Sequence, residues 1–269
     1  MKPPFFGEFG DTITFNTASD CRPDAHQIAW RPANIGFRQC KDEGERYFLN
    51  LYLKWVFKLN ATSFDLPLAI TRAGKIYEPD FFVNENGMQY GLEITRATTW
   101  RSERATDSLI AAGPGHFMEI DSKQYGEDRD YHPADDVKPH GSALDSEPLL
   151  GLDLEKEWGR CTAHRILEKQ ENLAKNYSRF FPHCDLVLYS SFPVLELEDG
   201  VCFLQSHNRS ASSAGDACPR FQRITIVSEK WAIFDPLGTT PRILSANDFP
   251  YDGSSAENKV VTLSEDKNK

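Results

Sequence analysis

The chain has 269 residues and a formal net charge of −10, and 40% of its residues are hydrophobic and 12% aromatic. This composition is too apolar for a disordered protein, and the acidic balance argues against a broad basic surface that grips nucleic acid non-specifically. No run of about 18 apolar residues predicts a membrane span, and the N-terminus lacks a signal-peptide pattern. We therefore expect a soluble, cytoplasmic protein that does not bind membranes.

The acidic charge is concentrated in residues 121–157. This segment holds eleven acidic and four basic residues, so seven of the ten net negative charges lie there. It overlaps residues 113–152, which are rich in Pro, Gly, Asp and Ser and show no hydrophobic period, so we predict a long acidic loop insertion. One hypothesis for this loop is that it docks a basic protein partner.

The first regular elements are a strand and a helix. Residues 1–36 contain several prolines and are predicted to form an irregular extension, with TITF at 12–15 as a candidate strand. Residues 41–59 carry large apolar side chains at helical spacing, which predicts a helix. Glu45 lies at the edge of the apolar face of this helix, so we expect it to lean over whatever the helix packs on.

Three strands and a short helix follow. PLAITRAG (67–74) is a candidate strand, and EPDFFV (78–83) and MQYGLEIT (88–95) are predicted strands joined by a turn at 84–87. Residues 102–113 are predicted to form a short helix that is stopped by Gly-Pro.

The second half of the chain is predicted to contain one long helix followed by strands. Residues 154–180 predict a long helix, and residues 184–193 form a continuous apolar run typical of a strand buried on both faces. Asp-Gly within 195–204 predicts a hairpin, and 223–235 predicts another strand pair. The polar tail at 251–269 is predicted to be flexible.

This order of elements predicts an α/β (α+β) fold with a mixed central sheet flanked by helices. We expect a single domain over residues 37–250, interrupted by the insertion at about 113–152.

Two acids, Asp80 and Glu93, occupy strands that we expect to pair antiparallel. That pairing would bring the two carboxylates together, where each would raise the pKa of the other unless a cation neutralised them. A small set of carboxylate oxygens suits Mg²⁺, which activates water and stabilises charge on a phosphate. The alternative is that both acids lie at strand edges and face water.

The pattern of these residues resembles the PD-(D/E)xK nuclease superfamily, which has the restriction-endonuclease-like fold. Pro79-Asp80 and Leu92-Glu93-Ile94-Thr95 resemble its short motif except at Thr95, and the element order over residues 41–110 and 154–192 resembles its core. The resemblance implies a metal-dependent endonuclease that hydrolyses phosphodiester bonds in nucleic acid, and we expect DNA. It implies Mg²⁺ as the cofactor, with Mn²⁺ as an alternative.

The resemblance also implies roles for individual residues. Asp80 and Glu93 would hold the metal with the backbone carbonyl of Ile94, and Glu45 would assist as a ligand or through water. The family's lysine falls at Thr95, which can hydrogen-bond water but carries no charge. We expect Lys169 to supply the missing amine.

Other interpretations remain open. Lys175 and Lys75 are alternative sources of the amine, and any of these lysines could be an ordinary solvated side chain. The absence of lysine at position 95 suggests, as an alternative function, a catalytically degenerate nuclease fold that binds nucleic acid or protein. Homodimer formation is also left open.

The six cysteines form no CxxC pair and are interpreted as reduced thiols that mostly fill the core. The neighbouring pairs Cys161 with His164 and His183 with Cys184 could be metal ligands, but a structural role is the preferred interpretation.

Overall fold

The computed structural model describes residues 12–17, 41–58, 64–73, 78–97, 111–112, 116–118, 137–139, 152–176, 183–190, 194, 196–211 and 220–245. Contacts within the chain group it into two compact units, whereas the sequence predicts one domain over residues 37–250. Unit 1 comprises Met1–Arg96, Lys169–Ser191 and Ala217–Lys269, and unit 2 comprises Ala97–Glu168 and Phe192–Asp216.

The part of the chain that the structure describes is mixed α/β, with three helices and ten strands. The helices are α1 (Lys41–Lys58), α2 (Asp153–Asn176) and α3 (Leu197–Ala211), and none of them is long and apolar enough to cross a membrane. The strands are β1 (Thr12–Phe15), β2 (Leu68–Arg72), β3 (Phe81–Glu85), β4 (Met88–Arg96), β5 (His116–Met118), β6 (Val137–Pro139), β7 (Cys184–Tyr189), β8 (Ile224–Val227), β9 (Trp231–Phe234) and β10 (Arg242–Ser245).

Eight of these strands form one sheet in unit 1, in the order β1-β2-β3-β4-β7-β8-β9-β10. Strand β7 runs parallel to β4 and β8, and the other neighbouring pairs are antiparallel. The predicted mixed sheet with helices is therefore confirmed. Residues 12–15 are an edge strand of it, so this part of the predicted irregular extension is ordered into the sheet.

Strands β5 and β6 form a separate antiparallel ribbon in unit 2. The prediction that residues 113–152 lack regular structure is therefore wrong for these six residues. Most of the acidic segment 121–157 lies outside the described residues, as does most of the helix predicted at 102–113, of which residues 111–112 are helical.

Helix α1 packs its apolar face on the large sheet, as its hydrophobic spacing predicted. Phe48 stacks on Tyr189 with ring centroids 4.2 Å apart, and the buried Trp55 donates a hydrogen bond from Nε1 to the Ser228 carbonyl at 2.8 Å. Burying a large apolar side chain contributes about 1.5–3 kcal/mol. These contacts fix the helix over the strands that carry the predicted acids.

The hairpin of β3 and β4 turns at Asn86 and Gly87. Both residues have positive φ, 50° and 87°, and Asn84 Oδ1 accepts a hydrogen bond from the Gly87 backbone N–H at 2.9 Å. An Asn-Gly pair favours this backbone, because it suits the twist of paired strands. The predicted turn at 84–87 is therefore confirmed.

The hairpin predicted at residues 195–204 is wrong, because this segment begins helix α3. Apolar residues Leu197, Val201 and Leu204 have helical spacing, and acids in the first turn favour a helix N-terminus. Gly200 does not mark a turn. A Cβ at this position would lie 2.9 Å from Cε3 of Trp158, so the glycine is needed where the two helices of unit 2 touch.

Candidate functional site

Asp80 and Glu93 lie at the end of the β3–β4 hairpin that is remote from its turn. Phe81 pairs with Leu92, and continuing this antiparallel register by one residue puts Asp80 opposite Glu93. Asp80 Oδ2 accepts a hydrogen bond from the Ile94 backbone N–H at 2.8 Å. The strand pairing that the sequence predicted thus brings the two acids onto adjoining positions.

Gly91 makes room for the residue that precedes Asp80. A Cβ on Gly91 would lie 2.9 Å from Cγ of Pro79 and 3.1 Å from Sγ of Cys184, closer than real side chains pack. Pro79 is buried against the strand. The glycine therefore permits the close approach that seats the Pro-Asp segment beside β4.

Lys169 on α2 reaches Glu93 within unit 1. Its Nζ lies 2.6 Å from Glu93 Oε1, and the two side chains are 18% and 7% exposed. Lys175 on the same helix pairs with the exposed Glu171 at 3.3 Å, and Lys75 lies outside the described residues. Of the two described candidates, Lys169 is the one whose amine contacts a predicted site acid.

The surroundings of Asp80 disfavour the ionised form of its carboxyl group. Its pKa is raised from 3.8 to about 8, first because burial penalises the charged form and then because Glu93 and Glu45 carry like charges. The hydrogen bond from Ile94 and the charge of Lys169 act in the opposite direction. Acidic charge therefore exceeds what the neighbouring cations offset, and a bound cation would favour the ionised form.

Glu45 is buried near this pair but is held by another residue. Its Oε2 lies 2.9 Å from Nη2 of Arg72, whose guanidinium lies 5.8 Å from the ring centroid of Phe81. The expectation that Glu45 leans inward is confirmed. Sequence reasoning missed Arg72, because no local pattern links a residue at the end of β2 to the first turns of α1.

Thr95 follows Glu93 on the same face of β4, since side chains alternate along a strand. It is buried, 7% exposed, and it belongs to the sheet. The Ile94 side chain is part of the hydrophobic core on the opposite face. Position 95 therefore carries no charge. Among the described residues, the amine that contacts this acid pair is that of Lys169.

The donor chemistry fits an open Mg²⁺ site. Among the described residues, Asp80 and Glu93 each accept one hydrogen bond, from Ile94 and Lys169, which leaves one oxygen on each carboxyl for a cation. Mg²⁺ is commonly held by one or two carboxylates and completes its octahedron with water and substrate phosphate. The two acids together meet this requirement.

A three-carboxylate set is not formed. Within the described ranges, no group of three or more His, Cys, Asp or Glu side chains is arranged to hold a metal ion. Glu45 contacts Arg72, so its predicted role, as a direct ligand or through water, stays a prediction.

The cysteine pairs considered from the sequence are engaged elsewhere. Cys161 Sγ donates a hydrogen bond to Glu157 Oε1 at 3.1 Å, and burial raises the pKa of its thiol. Burial also raises the pKa of the Cys184 thiol, and His183 Nδ1 bonds to the side-chain amide of Gln222. Neutral thiols are poor metal ligands, so these residues support the preferred structural interpretation.

No protein-family model, curated protein or solved structure matches this chain.

Proposed function

We propose that the chain is a Mg²⁺-dependent endonuclease of the restriction-endonuclease-like class, acting on phosphodiester bonds with DNA as the expected substrate. The observation that carries this proposal is the contact between Lys169 Nζ and Glu93 Oε1 at 2.6 Å, beside Asp80. This contact supports the proposal, because the lysine position of the PD-(D/E)xK motif holds Thr95 and the amine beside Glu93 comes from a different element. The mixed sheet, with its central β4 and β7 in parallel, is compatible with that class.

Each residue of the site has a defined task in this proposal. Asp80 and Glu93 would hold Mg²⁺, which when bound offsets charge on the phosphate and lowers the pKa of water. The Ile94 N–H fixes the orientation of the Asp80 carboxyl, and its carbonyl is the predicted further ligand. Lys169 would orient the attacking water and offset charge on the phosphate oxygens.

The test is a cleavage assay on supercoiled plasmid, linear duplex, single-stranded DNA and RNA with Mg²⁺ or Mn²⁺. Asp80→Asn, Glu93→Gln and Lys169→Met should each lower the cleavage rate by at least about 100-fold, the scale of a lost catalytic group. Lys175→Met is the matched control, because it removes an exposed lysine of the same helix and should cleave like the parent.

Cleavage by all three site variants at the parent's rate would end the proposal, provided that circular dichroism shows each variant to be folded. A parent chain that cuts none of these substrates would instead favour the second candidate function. That candidate is a nuclease-like fold that binds nucleic acid or protein without cutting, and Thr95 at the lysine position of the motif is the observation that supports it.

A further inference from the structure

A cavity of about 290 Å³ with both apolar and polar lining residues lies in unit 1, beside α1 and the starts of β8 and β10. This volume is near the lower limit of small-molecule sites, about 300 Å³. It suits a ligand the size of one nucleotide better than a dinucleotide cofactor. The described side chains that line it include three aromatic rings, two guanidinium groups and an amide: Tyr52, Phe64, Phe234, Arg223, Arg242 and Gln222.

Arg223 is held in place along one edge of its guanidinium. Nε donates to Asp185 Oδ2 at 2.7 Å and Nη2 approaches Glu85 Oε2 at 3.4 Å, while the group lies 5.0 Å from the ring centroid of Tyr90. The side chain nevertheless remains 45% exposed. Nη1 has no hydrogen-bond acceptor among the described residues. It can therefore donate a hydrogen bond to a ligand from a guanidinium that is already held in place.

Arg242 contributes a second guanidinium to the same cavity. Within the described ranges it makes no ion pair and no side-chain hydrogen bond, although it is only partly exposed. The one acid among the lining residues, Asp235, lies against the backbone of Gly238. Because Arg223 is already paired with Asp185 and Glu85, Arg242 carries the positive charge that is left without an ion pair among the described lining residues, and a phosphate would supply that partner.

We infer that this cavity binds a nucleotide unit, that is, a flat base ring carrying a phosphate group. Guanidinium groups recognise phosphate through paired N–H donors, and aromatic side chains provide faces for a base. The Gln222 Nε2 is engaged with His183, so Gln222 Oε1 and the Thr225 hydroxyl are the groups offered to the polar edge of the ring. The ligand is either a free mononucleotide or the phosphorylated end of a strand.

The inference does not depend on the proposed nuclease, because the site lies at different residues and its test excludes metal. Isothermal titration calorimetry in EDTA would compare four nucleoside monophosphates, inorganic phosphate, and a short oligonucleotide with and without a 5′-phosphate. The parent should bind at least one nucleoside monophosphate or the phosphorylated oligonucleotide more tightly than inorganic phosphate. A preference for the oligonucleotide identifies a strand end as the ligand, and a preference for the monophosphate identifies a free nucleotide.

Arg242→Gln should weaken that binding by about tenfold or more, as expected for the loss of a charge-assisted hydrogen bond. Lys230→Gln is the matched control, since it removes one exposed positive charge of unit 1 that does not line the cavity, and it should leave binding unchanged. The inference is overturned if the parent binds none of the nucleotides, if inorganic phosphate binds equally well, or if Arg242→Gln binds like the parent.

Discussion

Unit 1 contains two acid pairs on opposite faces of the same sheet, and they differ in how fully their oxygens are bonded. Asp185 and Glu85 are both buried, whereas Asp80 is half-buried beside the buried Glu93. Asp185 pairs with Leu92 across the β4–β7 ladder, so its side chain points away from that of the adjacent Glu93. Asp185 accepts hydrogen bonds from the Arg223 backbone at 3.2 Å and from its Nε at 2.7 Å. On the other face, Glu93 accepts one such bond among the described residues, from Lys169.

The second acid of each pair shows the same contrast. Glu85 accepts hydrogen bonds from the Asp65 backbone at 2.9 Å and from Tyr90 Oη at 2.8 Å, besides its contact with Arg223. Asp80 accepts one bond from the described residues, and two further acids raise its pKa. Satisfied buried acids stabilise a fold, whereas acids with spare oxygens and excess charge are suited to bind a cation.

The largest effect on stability is expected at the satisfied pair. Arg223→Gln should lower the free energy of unfolding by about 3 kcal/mol, because Asp185 and Glu85 would stay buried without their cation. We take the low end of the usual range because Arg223 is 45% exposed. Urea denaturation of the two proteins measures the difference.

Arg242→Gln is the control for this variant, since it removes the same charge from the same unit and should change stability by no more than about 0.5 kcal/mol. Mg²⁺ should not restore the stability of Arg223→Gln. If the two variants lose equal stability, or if Mg²⁺ rescues the first, the distinction between the two acid pairs is lost.

In the absence of divalent metal, Asp80 is expected to have a smaller effect on the free energy of unfolding, and this effect depends on pH. Its folded pKa, about 8, lies above the ordinary value of 3.8, so the folded state favours the protonated acid. The stability that this group contributes is complete below about pH 3.8 and is lost as the pH rises to about 8. Asp80→Asn stays neutral and keeps an oxygen for the Ile94 N–H.

The stability of Asp80→Asn relative to the parent should therefore increase from pH 4.5 to pH 8, by at least about 1.4 kcal/mol, the equivalent of one pKa unit. Chemical denaturation in EDTA at several pH values measures this difference. Adding Mg²⁺ at pH 8 should stabilise the parent and not the variant. Parallel pH profiles for the two proteins would show that Asp80 titrates in its ordinary range.

Local patterns were sufficient to predict most of the sheet and the acid pair. Strand alternation and the Asn86-Gly87 turn fix the register that sets Asp80 opposite Glu93, and both signals lie within a few residues. The helix at 197–211 was missed because Asp-Gly was given more weight than the helical spacing of its apolar residues. The close packing of Gly200 on Trp158 is a tertiary contact that no local pattern reveals.

The cations could not be derived from such patterns. Arg72 meets Glu45 across 27 residues and Arg223 meets Asp185 across 38, so each pair depends on how helices and strands are assembled. Lys169 lies 76 residues from Glu93, and it was expected only through the resemblance to the nuclease superfamily. Long-range ion pairs such as these therefore cannot be predicted from local sequence patterns.

The smallest expected effect is on the cleavage rate and concerns Thr95. A lysine at this position of β4 would lie on the same face as Glu93, the acid that Lys169 contacts. In a Lys169→Met background, adding Thr95→Lys should restore cleavage by about tenfold, because one charge-assisted contact replaces another. Thr95→Met in that background is the control for size, since overpacking this buried position costs about 1–3 kcal/mol in either variant. The cleavage rates of the two double variants are compared at a temperature below the melting temperature of each. Equal rates would mean that a lysine at position 95 does not supply the amine that Lys169 provides in the parent.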